Sequence, residues 1–148
     1  MKTQILIIGT TLAVLSTLQA QDIPQNQVPS VIVNEFNKEF SKATDIEWEM
    51  DGNLYNVDFE IGWNIDHEVW YNTEGKIVQH KKDISKKELP KTVKNRLEKS
   101  FKGYTIDDLE QITDNKETVY KMELKSLTKK DWDIVIDASG NVLSKIAD

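Results

Sequence analysis

The chain has no cysteine. Disulfides, thiol nucleophiles and cysteine-ligated metals are therefore excluded, and if the chain is exported its stability must come from packing alone. Recognisable catalytic signatures are missing as well: there is no Gly-x-Ser-x-Gly elbow, no glycine loop to cradle a phosphate and no His-Glu-x-x-His pair. Positive charge is in the minority, with 19 Lys and Arg against 25 Asp and Glu and a net charge of −6. That balance argues against nucleic acid and anionic lipid as partners. Long apolar runs are absent beyond the first twenty residues.

Those twenty residues have the layout of a secretory signal: Lys2, an apolar run from Ile5 to Leu18, and the small-residue exit Gln19-Ala20. The run is too short, and too soon followed by polar residues, to span a membrane of about 20 apolar residues. No cysteine follows the expected cut, so no lipid anchor is predicted there. The expected product is residues 21–148, periplasmic or secreted, with Lys2 removed and a net charge of −7 in place of −6. Its length suits one domain and is marginal for two independent ones.

What is present is a pattern that occurs twice. Tyr55 and Gly75 are separated by the same twenty positions as Tyr120 and Gly140. Upstream, Val28, Ile32, Phe36 and Phe40 recur at every fourth position, and Leu89, Val93, Leu97 and Phe101 repeat that spacing, the first residue of each set followed at once by a proline, Pro29 or Pro90. Each set is the apolar stripe of an amphipathic helix opened by proline in its first turn. Ile46, Trp48 and Met50 then alternate with acids, and Tyr55, Val57, Phe59 and Ile61 alternate with Asn56, Asp58 and Glu60 after the Asp51-Gly52-Asn53 turn. Such alternation marks half-buried strands joined in hairpins. His67 to Tyr71 and Lys76 to His80 continue the first copy; Tyr104 to Ile112, Val119 to Leu124, Trp132 to Ile136 and Asn141 to Ile146 form the second. Lys81 to Glu88 reads as a charged connector, and Gln21 to Gln27 as a polar leader.

The expected fold is α+β: two tandem helix-plus-four-strand repeats, about 28–80 and 89–146, sharing one antiparallel sheet with both helices on one face. The other face would lie open to solvent, as antiparallel sheets allow. The Pro-Phe helix, the isoleucine-centred strand with its Trp, the Tyr-x-Val-x-Phe strand and the late Gly, all doubled, resemble the PepSY-like, beta-lactamase-inhibitory-protein-like periplasmic proteins of Bacteroidetes. The resemblance implies one continuous curved sheet and binding through its concave face. It supplies no catalytic or ligand residue to carry over.

From the alternation, the open face carries Glu47, Glu49, Asn56, Asp58, Glu60, Glu68 and Trp70 in the first copy. In the second it carries Lys121, Glu123, Lys125, Asp133, Val135 and Asp137. Trp70 among five acids, with Trp63 in a glycine-containing loop, has the composition of a binding anchor for a protein partner of the cell envelope. Trp48 and Trp132 fall in phase with the core. Asp66-His67-Glu68 does not form a metal site, because successive strand residues point to opposite faces, so that His67 cannot join Asp66 and Glu68. The leading expectation is a non-enzymatic binding or inhibitor-like module with no cofactor. A small-ligand or Ca²⁺-binding protein using the acids, and an unrecognised hydrolase, stand behind it.

Overall fold

The computed structural model describes residues 21–114 and 117–147; the expected signal peptide lies outside them. Nine strands form one antiparallel sheet in chain order. They are β1 (Gln21–Asp22), β2 (Ala43–Asp51), β3 (Leu54–Ile61), β4 (Ile65–Tyr71), β5 (Ile77–Asp83), β6 (Thr105–Asp114), β7 (Glu117–Lys125), β8 (Trp132–Asp137) and β9 (Val142–Ala147). Helix α1 (Ser30–Glu39) precedes β2, and α2 (Lys91–Ser100) precedes β6. Every neighbouring pair follows directly in sequence or through one helix, so only meander connections are needed.

Each helix begins one residue later than the periodicity suggests, with Pro29 and Pro90 extended at the cap position. Each ends where a buried phenylalanine, Phe40 or Phe101, leaves helical backbone. The stripe of α1 is buried with Trp48, Val57, Phe59, Val69 and Tyr71, and that of α2 with Leu109, Tyr120, Met122, Leu124, Ile134 and Ile136. The turn glycine of each half lies against its helix. A Cβ on Gly75 would stand 3.2 Å from Val31 Cγ2, and one on Gly140 2.9 Å from the Thr92 carbonyl oxygen.

Two sequence expectations are corrected. The polar leader is not free: Gln21 and Asp22 pair with Met50 and Glu49, and the Ile23 amide donates to the Trp48 carbonyl at 2.9 Å, adding a ninth strand. The fourth strand does not stop at His80. It continues through Asp83, and Gln79 to Asp83 pair with Asp114 to Glu110, which joins the halves edge to edge. Trp132 packs against the α2 core as its phase implies, partly buried, with Lys145 over its ring 3.8 Å from the centroid.

Candidate functional site

Registers decide which acids meet. Glu47, Asp58, Glu68 and Lys81 are successive cross-strand partners on β2 to β5, and Glu60 pairs with Asp66 one row further on. From the other half, Glu110 pairs with Asp83. At equivalent places in β2 and β6 the ladder is broken by a bulge, and there Asp45 and Asp108 take positive φ, 52° and 44°. A bulge re-aims its side chain and often marks a functional edge. Together these residues line an open concavity of ≈ 510 Å³ with nine carboxylates and two ammonium groups, Lys81 and Lys82.

Lys81 is the local counter-charge. Its Nζ donates to Glu68 Oε2 at 2.8 Å and lies 3.3 Å from Glu110 Oε1, bridging the halves. Burial alone would lower its pKa, but Glu68 and Glu110 outweigh that and hold it above the usual lysine value. One lysine does not neutralise the row. The Asp58 carboxyl is pushed up to about 6, first by burial and then by the negative charges of Glu68 and Glu49. Asp83 is raised too, by burial and then by Asp66 and Glu110.

A measurable consequence follows from the sign of that shift. An acid whose folded pKa is raised above its unfolded value contributes stability below the unfolded value, and this is lost as pH rises through the folded one. For Asp58 that window runs from 3.8 to about 6. Asp58→Asn is therefore expected to melt above the parent at pH 8, with the advantage disappearing below about pH 4. An equal difference in melting temperature at both pH values would assign the effect to packing instead.

Of the sequence-predicted residues, Glu47, Asp58, Glu60 and Glu68 come together in the concavity. Glu49 and Trp70 do not line it. They flank Asn56 in the adjacent row, where Asn56 is only 2% exposed and donates to Glu68 Oε1 at 3.4 Å. Trp70 is half-buried, so much of its ring already rests on the sheet. Trp63 stands apart at the β3–β4 hairpin tip, 96% exposed. Asp45, Asp66, Asp83, Asp108 and Glu110 were missed. Asp45 and Asp108 lie at bulges, which break alternation, and Asp83 sits where the sequence reads as connector.

His67 and His80 lie on the helix side of the sheet, where His67, paired with Lys82, also lines the rim of the concavity. Their rings stack with centroids 5.2 Å apart, His67 Nδ1 lies 3.0 Å from His80 Nε2, and Phe59 and Phe40 close over them. Burial, with Lys82 nearby, holds both below the ordinary histidine value, His80 down to about 4. Elsewhere, Asp107, Asp108 and Glu123 gather carboxylate oxygens within 4.8 Å of one another. Lys125 already bridges that group, 2.8 Å from Asp107 and 3.0 Å from Glu123.

Comparison with known proteins places this geometry. A family model described as beta-lactamase-inhibitor-like, PepSY-like matches residues 16–79 and again 53–144. The chain belongs to the PepSY-like family. No curated protein matches it. Among solved structures, a BLIP-like protein from Bacteroides fragilis is 21% identical over 84% of this chain and 87% of its own, with a TM-score of 0.66. A DUF2874 family protein from Bacteroides uniformis is 18% identical over 80% and 88%, with a TM-score of 0.67. A Bacteroides eggerthii structure described as "putative periplasmic proteins" is 18% identical over 81% and 88%, with a TM-score of 0.68. These likenesses establish an α+β PepSY-like fold with an open nine-stranded antiparallel sheet and two helices. No described helix is long and apolar enough to cross a membrane.

Proposed function

We propose that this PepSY-like protein is a periplasmic or secreted, non-enzymatic binding module whose acidic sheet face receives a basic segment of a protein partner in the cell envelope. The observation that carries this reading is the convergence of nine carboxylates from both halves on one open concavity with only two lysines. Such a surface raises the local concentration of cationic partners and accelerates encounter. The raised pKa of Asp58 indicates that the cluster costs stability, as binding surfaces commonly do. An inhibitor-like role is the form of binding for which the family's description, beta-lactamase-inhibitor-like, gives precedent.

The reading treats residues 21–148 as one domain of two helix-plus-four-strand repeats with both helices on one side. Support comes from the double match of the family model. Support comes also from the partner row Phe59, His67, Lys82, Gln111, Tyr120 and Ile136, which runs from the α1 core to the α2 core without changing face.

The test is capture from envelope extract on immobilised protein. Asp58→Lys with Glu60→Lys should weaken retention at least about tenfold and make it insensitive to salt. Trp70→Ala and Trp63→Ala should each shorten residence of the captured protein. Unchanged capture by all of these variants would end the proposal. A second reading, Ca²⁺ or small-cation binding, draws on the Asp107, Asp108 and Glu123 cluster. The Lys125 ammonium already neutralises that group, so no thermal shift with Ca²⁺ is expected. A hydrolase would draw on the raised Asp58 and on His67, but the concavity is open and has no serine, threonine or cysteine in its lining.

A further inference from the structure

The chain has two histidines, and they meet. With His67 Nδ1 and His80 Nε2 3.0 Å apart, one nitrogen carries a proton and the other accepts it. A single added proton can be shared across that contact. A second cannot, because two N–H groups would then face each other with no acceptor between them.

The second half shows what a cation needs at this place. By the offset that relates Tyr55 to Tyr120 and Gly75 to Gly140, His67 corresponds to Trp132 and His80 to Lys145, while Phe40 and Phe101 end the two helix stripes. Lys145 keeps a permanent charge over the Trp132 ring at 3.8 Å and the Phe101 ring at 5.5 Å. It can do so because β9 is an edge strand and Lys145 is exposed, so its ammonium still reaches water. The first half has no such outlet. β5 is covered on its far side by β6, which sets Thr113 opposite His80 and Gln111 opposite Lys82. α1 contributes Phe40 and β3 contributes Phe59. Burial is the largest influence keeping both rings neutral; Lys82 adds to it, and Asp66 beside His67 works against it.

We infer that the His67–His80 pair is a proton-operated clasp, which when neutral holds the end of α1 on the first half of the sheet and when doubly protonated parts and frees it. Phe40 is the moving piece. Its buried ring lies 5.5 Å from His80 and 6.3 Å from His67, and its carbonyl accepts the Ala43 amide at 3.0 Å where the chain enters β2. Asp45, two residues further on, lines the acidic concavity, so displacing Phe40 reaches the wall of that site. Acid then loosens the wall from the helix side while protonating Asp58 from the open side, and both changes favour release of a cationic partner. That consequence rests on the function proposed above; the clasp itself does not.

The direction of the pH effect is fixed. A base whose folded pKa lies below its unfolded value contributes stability that is complete above 6.5 and is lost as pH falls to the folded value, about 4 for His80. The window overlaps that of Asp58, which acts in the opposite direction, so parent and variant are compared at the same pH.

With no other histidine in the chain, the imidazole signals in a nuclear magnetic resonance titration belong to this pair alone. Both midpoints should fall below 6.5. Corrected for intrinsic rates, hydrogen exchange at the Phe40 and Ala43 amides should lose protection between pH 6.5 and pH 4, while the Phe101 amide at the end of α2 keeps its own. In urea, the folding constant of the parent should drop roughly fivefold to tenfold relative to that of His80→Gln between pH 6 and pH 5. The first two measurements need only the parent protein, so they decide the matter even where the variant does not fold. Midpoints at or above 6.5, equal loss of protection at Phe40 and Phe101, or a parent-to-variant ratio that does not move with pH would each overturn the inference. None of these readouts uses a partner, so failure of the clasp and failure of the acidic binding surface are told apart.

Discussion

Phe36→Ala is expected to lower unfolding free energy by about 3–5 kcal/mol. Phe36 is 1% exposed and its ring meets three others, Phe59 at 5.0 Å, Trp48 at 5.3 Å and Phe40 at 5.7 Å, two of them edge to face. Truncation removes the transfer gain of a buried ring and leaves a cavity that three rigid aromatics do not readily fill. A domain of this size has only about 5–15 kcal/mol in total and no disulfide to fall back on. The midpoint in urea should fall with the slope unchanged, whereas Glu35→Ala, one position away and exposed, should move it by less than about 0.5 kcal/mol. Similar midpoints for the two variants would mean that α1 is not docked as described.

Gly140→Ala is expected to cost at least about 3 kcal/mol, and its mechanism separates from that of an ordinary turn glycine. Gly140 has φ of +89°, for which an L side chain pays about 1–2 kcal/mol. Its new Cβ would also stand 2.9 Å from the Thr92 carbonyl oxygen, a backbone atom in the first turn of α2. That helix is tied to the same turn by Thr92 Oγ1 donating to the Ala138 carbonyl at 2.6 Å and Arg96 Nε donating to the Gly140 carbonyl at 2.7 Å. Relief of the clash therefore displaces α2 and strains two hydrogen bonds. Gly52→Ala provides the contrast. Its φ is +62° and nothing lies within 4 Å of its Cβ, so it should show the conformational cost alone. Equal losses of melting temperature would refute the close helix–turn contact.

The helices were legible because a stripe such as Val28, Ile32, Phe36 and Phe40 is a local property, and every member is buried as its spacing implies. Trp48 was readable for the same reason, since its neighbours Glu47 and Glu49 fix its phase. β1 was not: a two-residue strand has no period, and Gln21 and Asp22 are exposed polar residues held only by backbone pairing. The end of β5 read as connector because Lys81 turns to the acids while Lys82 lies across the strand, so neither side shows an apolar alternate. The acidic concavity was half legible. Glu47, Asp58, Glu60 and Glu68 declare a face by alternation, but Asp83, Asp108 and Glu110 join them only through the β5–β6 register, which is a long-range pairing. Two bulged aspartates were hidden because a bulge is the place where the period of two fails.

The working surface is the central matter, and carboxyl footprinting of the captured complex tests it most directly. Carboxylates are labelled with and without the partner, and protection is read by mass spectrometry. Binding through the acidic concavity predicts protection at Asp45, Asp58, Glu60 and Asp66, with unchanged labelling at Glu35, Glu39 and Glu98 on the helices. Protection of the helix acids with Asp58 and Glu60 still freely labelled would contradict it.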